Sequence, residues 1–105
     1  MQNEKTLFEK IVTGEIPCTK VYEDAETFAF LDINPNALGH TLVIPKMPYK
    51  NIHELTDEVA SAVIKTVKKI SNAISRALTT DGIKIIMNNG AASGQVIFHA
   101  HFHVI

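Results

Sequence analysis

Cysteine is nearly absent. Cys18 stands alone among 105 residues, which excludes an intrachain disulfide framework and any Cys-x-x-Cys metal knuckle. An excess of charge of either sign is also missing: the formal net charge is −1, so no global basic surplus is there to hold a nucleic-acid backbone or an anionic membrane. No apolar run approaches the roughly 20 residues of a membrane span. The opening residues, Met1-Gln2-Asn3-Glu4-Lys5-Thr6, carry no signal-like apolar stretch. Length leaves no room for a second core. The expectation is one soluble, cytoplasmic domain spanning residues 1–105, with no nucleic-acid partner and no membrane partner.

What is present is a chain with clear local punctuation. Leu7, Phe8, Ile11 and Val12 recur at helical spacing ahead of Gly14, which predicts a short helix. Val21-Tyr22 and residues 27–31 are β-branched and aromatic around the polar turn Glu23-Asp24-Ala25-Glu26, the pattern of paired strands. Asn34-Pro35-Asn36 and Gly39 mark a loop, and the apolar run 41–44 before Pro45 predicts a strand buried on both faces. Thr56 is a natural N-cap with Asp57 and Glu58 behind it. From there Val59, Val63, Val67, Ile70, Ile74 and Leu78 form one apolar helical stripe, while Lys65, Lys68, Lys69 and Arg76 lie off it as a solvated face. Asp81-Gly82 closes this helix, and strands are expected over 83–87 and 95–105. Helix, strands, helix, strands indicates an α+β fold with a largely antiparallel sheet, one short helix and one long one.

The chemistry is concentrated near residue 100. His99, His101 and His103 alternate with Ala100 and Phe102, so in a strand the three imidazoles share one face, with neighbouring roots roughly 7 Å apart. Val96, Phe98, Ala100, Phe102 and Val104 would share the other face as a core set. Three readings of such a face stand open. Exposed histidines on a half-solvated strand are one. A metal site is the second, since imidazole is a common ligand, although the outer two histidines are remote and no cysteine or second carboxylate completes a set. The third, favoured by the rest of the chain, is covalent catalysis at phosphorus by a central histidine, with its neighbours donating to phosphoryl oxygens or protonating a leaving group. The polar, glycine-containing loop from Asn88 to Gly94 leads into this face and allows backbone N–H groups close to an anion.

Residues 99–105, His-Ala-His-Phe-His-Val-Ile, match the His-φ-His-φ-His-φ-φ signature (φ apolar) of the histidine triad family at every position. Leu7-Phe8-Glu9-Lys10-Ile11, Gly14-Glu15-Ile16-Pro17, Ala29-Phe30-Leu31-Asp32-Ile33, Gly39-His40-Thr41-Leu42-Val43-Ile44-Pro45-Lys46 and residues 88–95 extend the likeness over nearly the whole chain. The chain resembles the Hint-like branch. That resemblance implies a homodimer whose sheets join across the interface, and a purine, AMP-like nucleotide on each protomer. It implies a phosphoramidase or nucleotidyl hydrolase, or else a nucleotide-binding interaction module with vestigial catalysis. His101 would be the nucleophile toward the α-phosphorus, His103 the phosphate contact and leaving-group aid, and His99 and His40 supporting members of the cluster. Asp32 would take the ribose hydroxyls, Phe8, Ile11 and Ile33 the base, and Asn88 with the backbone of Gly94, Gln95 and Val96 the phosphate side.

Some relatives carry N-terminal cysteines that help bind a structural zinc. Thr6 and Glu9 occupy that neighbourhood here, and Pro48 replaces a frequent histidine, so no metal and no other cofactor is expected. Val96 stands where some relatives have a phosphate-touching serine, leaving only its backbone. His53 is expected at the surface, and Cys18 as an inert buried thiol. Relatives continue beyond the motif. A chain ending at Ile105 is therefore expected to keep the nucleotide pocket and to lack the wall on the leaving-group side.

Overall fold

A computed structural model of the protein describes residues 5–105. Thr6 caps a short helix, α1 (Leu7–Val12), in a reciprocal capping box with Glu9, and Phe8 and Ile11 are its buried face. Three strands follow: β1 (Lys20–Glu23), β2 (Thr27–Leu31) and β3 (Thr41–Pro45). A turn of 3-10 helix, Ile52–Glu54, leads to α2 (Asp57–Leu78), capped by the Thr56 hydroxyl on the Val59 N–H. Two short strands, β4 (Ile85–Ile86) and β5 (Phe102–Val104), close the order, with a second 3-10 turn, Ala91–Ser93, between them. Every pairing is antiparallel, in the spatial order β1-β2-β3-β5-β4. No described helix is long and apolar enough to cross a membrane.

The sheet carries two separate cores because alternate side chains leave opposite faces. Ala29 of β2, Val43 of β3 and Val104 of β5 meet Val63, Val67 and Ile70 of α2 on one face. On the other, Phe28, Phe30, Leu42 and Ile44 meet Phe8 and Ile11 of α1. The predicted stripe of α2 is thereby confirmed, with Leu78 partly exposed at its end and the lysines in solvent. A Thr27–Thr66 hydroxyl pair, 2.7 Å apart, joins β2 to α2 within the buried layer.

Both C-terminal strands are shorter than the sequence predicts. The helix stops at Leu78 on a left-handed Thr79, and only Ile85–Ile86 of the expected 83–87 pair in the ladder. The expected strand over 95–105 reduces to three residues. Its ladder on β3 runs Thr41↔Val104, Leu42↔His103, Val43↔Phe102, and continuing it would set Ala100 opposite Pro45, which has no N–H to give. Instead the Ala100 N–H donates to the Tyr49 carbonyl at 2.6 Å. The expected second core face fails at the same point. Ala100 and Val104 are buried, but Val96 is 82% and Phe98 42% exposed, because no ladder holds the chain flat before residue 102.

Candidate active site

Register decides where the histidines point. His103 pairs with Leu42, so it leaves the sheet on the Phe8 face, away from α2. His101 lies on the same side, its ring 5.0 Å from that of His103 and 5.1 Å from that of Phe8, edge-on in both cases. His99 also packs on Phe8, at 5.7 Å. The three imidazoles thus share a side although only His103 belongs to a hydrogen-bonded strand. His40, one residue before β3, sits across from His103 with ring centres 5.2 Å apart.

Hydrogen-bond partners fix which nitrogen of each ring carries the proton. His101 Nδ1–H donates to the His99 carbonyl at 2.7 Å, so its Nε2 keeps a lone pair. His99 Nε2–H donates to the Pro45 carbonyl at 2.8 Å. Its Nδ1 is then an acceptor, filled by the Thr6 hydroxyl at 2.7 Å. The Asn36 N–H donates to His40 Nδ1 at 3.1 Å, which puts the His40 proton on Nε2, 3.0 Å from His103 Nδ1. His103 therefore accepts at Nδ1 and is left with an Nε2–H to offer. Asp32 Oδ2 lies 3.5 Å from His40 Nε2, and Asp32 Oδ1 accepts the Asn34 N–H at 2.9 Å.

Burial favours the neutral form of His99, His101 and His103. His99 and His101 are buried, at 0% and 5% exposure, and loss of solvent pushes both below the ordinary imidazole value. The hydrogen bonds they donate to backbone carbonyls, and the carboxylates of Glu9 near His99 and Asp32 near His101, oppose that shift without cancelling it. His103 is lowered as well, by burial and then by His101 and His40. A neutral imidazole with a free lone pair at Nε2 is the form in which His101 can act as a nucleophile.

The cluster opens on a cavity of about 930 Å³, large enough for a nucleotide-sized ligand. His101 and His103 lie on its wall, together with Phe8, Ile11, Asp32, Ile33, Asn88, Gly94 and Val96. His99 and His40 stand behind them. The Gln95 side chain is buried behind them as well, which leaves its backbone for the expected place beside a phosphate. Its amide is turned inward, accepting from the Gly90 N–H and donating to the Lys50 and Ile97 carbonyls. Val96 faces the cavity and Gly94 holds a left-handed φ of 106°, as a loop bringing backbone close to a ligand requires. Cys18 is exposed and lines the cavity, not buried as expected, because proline-turned backbone around Pro17 carries it along the rim. His53 is exposed in its 3-10 turn. Thr6, the Asn36 N–H and the Pro45 carbonyl were missed as site groups. Only Thr6 had a signal, the Thr-x-x-Glu spacing of a capping box.

A family model for the HIT domain matches residues 13–105. The chain belongs to the HIT family. Among HIT relatives, the Arabidopsis thaliana adenylylsulfatase HINT3 is 47% identical over all of this chain, which spans only 53% of that protein's length. The Schizosaccharomyces pombe adenosine 5'-monophosphoramidase hnt1 is 43% identical over 94% of this chain and 71% of its own. A crystal structure of a HIT family protein from Bacillus anthracis superposes with a TM-score of 0.94 at 46% identity, over 97% of this chain and 72% of that one. The five-stranded antiparallel sheet with its main helix is thus the HIT fold.

The zinc that some HIT proteins carry does not fit the donors present here. Both ring nitrogens of His99 are engaged, and Thr6 and Glu9 are bound to each other in the capping box. Asp32, His40 and His103 form a second possible ligand set, with ligand atoms all within 4.8 Å of one another. There the Asn36 N–H on Nδ1 obliges His40 Nε2 to carry its hydrogen, making that atom a donor instead of a metal ligand.

Proposed function

We propose that this chain is a nucleotide hydrolase that cleaves a P–N or other P–X bond at the α-phosphate of AMP-like purine nucleotides. The observation that carries this reading is the set of ring contacts on the cavity wall, His101 Nδ1 on a carbonyl and His103 Nδ1 on His40 Nε2, which assigns a lone pair to His101 Nε2 beside a hydrogen on His103 Nε2. One is a nucleophile, the other an acid, and their rings are 5.0 Å apart. His101 Nε2 attacks phosphorus as the bond to the leaving group breaks. The leaving group takes a proton delivered at His103 Nε2 and replaced from water. A water molecule then attacks the nucleotidyl phosphorus, the P–Nε2 bond breaks, and a nucleoside monophosphate leaves with the lone pair restored on His101. Asp32 accepts the ribose hydroxyls and Phe8, Ile11 and Ile33 flank the base. Ile33 is 91% exposed, so covering it with a base removes apolar surface from water.

The names of the Arabidopsis and Schizosaccharomyces relatives, an adenylylsulfatase and an adenosine 5'-monophosphoramidase, support the substrate class. A homodimer belongs to the same reading, supported by exposed Ile64 on α2 and exposed Ile85 on the outermost strand β4. The test is hydrolysis of an adenosine phosphoramidate by the wild-type chain and by His101→Ala. Turnover should fall by at least about a thousandfold in the variant, as when an attacking side chain is removed, and an acid-labile nucleotidyl adduct should form only on the wild type. Binding without adduct or turnover would make the chain a nucleotide-binding module.

A further inference from the structure

We propose that Thr6 is a positioning residue for the reaction, setting the orientation of His101 through His99. This rests on the proposed role of His101. The Thr6 hydroxyl has one hydrogen, and the capping box decides where it goes. The Glu9 N–H donates to Thr6 Oγ1 at 3.0 Å, so the hydroxyl oxygen is an acceptor on the helix side and its hydrogen turns to His99 Nδ1, 2.7 Å away. His99 is fully buried, and water cannot replace this donor. With Nδ1 filled, the ring must carry its own hydrogen at Nε2, where the Pro45 carbonyl receives it at 2.8 Å. The ring is pinned at both ends, and its backbone carbonyl is the acceptor that holds His101 Nδ1–H at 2.7 Å.

Three bonds thus connect the start of α1 to the lone pair at His101 Nε2. Without the Thr6 hydrogen, His99 Nδ1 is a buried acceptor with no partner. The ring is then held only at the Pro45 carbonyl. Where the residue replacing Thr6 is itself an acceptor, the ring hydrogen is drawn to Nδ1 and Pro45 is released. Either change loosens the segment carrying the His99 carbonyl. The same cap begins the helix that presents Phe8 and Ile11 to the cavity. One hydroxyl therefore secures both the wall of the base slot and the alignment of the nucleophile.

The experiment separates helix capping from hydrogen donation with three full-length variants. Thr6→Ser keeps both roles, Thr6→Val loses both, and Thr6→Asp caps the helix but has no hydrogen to give at neutral pH. Each is assayed on an adenosine phosphoramidate, and the ring tautomer of His99 is read from long-range 1H–15N correlation spectra. Thr6→Ser should stay within about twofold of wild type, while Thr6→Val and Thr6→Asp should lose about tenfold in kcat with KM nearly unchanged. In Thr6→Asp the His99 hydrogen should move from Nε2 to Nδ1. Full kcat with the wild-type tautomer in Thr6→Asp would overturn the proposal and reduce Thr6 to a cap. Should Thr6→Val fail to fold, the Ser and Asp variants decide alone. Should the wild type show no turnover, the proposed function falls, and the His99 tautomer in wild type against Thr6→Asp still decides this linkage.

Discussion

Gln95 offers the sharpest test of how the loop beside the histidines is held. It is 3% exposed, and its amide makes three bonds: from Gly90 N–H to Oε1 at 2.8 Å, and from Nε2 to the carbonyls of Lys50 at 2.8 Å and Ile97 at 3.0 Å. Gln95→Leu keeps the bulk and removes all three. At about 1 kcal/mol for each bond, the ceiling is about 3 kcal/mol. Lys50 is exposed, so its carbonyl regains water, while Gly90 and Ile97 are only half-exposed. A loss of about 2 kcal/mol in urea-monitored equilibrium unfolding is therefore expected, with little change in the denaturant slope. Asn88, Gly94 and Val96 of this loop line the cavity, so KM for an adenosine phosphoramidate should rise several-fold. Gln95→Glu sets a carboxylate against two carbonyls and should cost more at neutral pH than in acid. A Leu variant within about 0.5 kcal/mol of wild type and with unchanged KM would refute the clamp.

Stability should also fall as the solution is acidified. His99 and His101 are pushed by burial below the ordinary value of 6.5, so below that pH the unfolded chain takes protons that the folded chain refuses. Stability is fully present above pH 6.5 and is lost as pH falls through the lowered folded values, by on the order of 1 kcal/mol per pH unit for each buried ring. Unfolding curves at pH 7.5 and 5 check the sign, and a gain on acidification would be the contrary result. At Gly39, φ is +84° and an added Cβ would lie 2.7 Å from Leu78 Cδ1. Gly39→Ala should cost about 1–2 kcal/mol, chiefly from the left-handed backbone, since the Leu78 tip can move. The same unfolding assay reads it, and a neutral result would show that the loop before His40 relaxes freely.

Much of the fold was legible because its signals are local. Thr56 with the Val63-Val67-Ile70 stripe determines α2. The apolar run ending at Pro45 determines a doubly buried strand, and the alternation of His99, His101 and His103 puts three imidazoles on one side. Near-neighbour periodicity is enough for each of these, because side-chain direction follows from backbone repeat alone. The family resemblance pointed to Asp32, Ile33, Asn88 and Val96, all of which lie on the cavity wall.

What only the tertiary structure decided concerns partners far apart in the chain. Alternation said nothing of where the last ladder would stop, since that depends on a proline in a strand more than fifty residues earlier in sequence. Nor could it set the tautomers. Those come from Thr6 on His99, Pro45 on His99, and His40 on His103, contacts that exist only once the sheet has closed. The sequence determined that three histidines would face one way. Closure of the fold determined which ring carries a lone pair and which a hydrogen, because an imidazole has two nitrogens and only its neighbours choose between them.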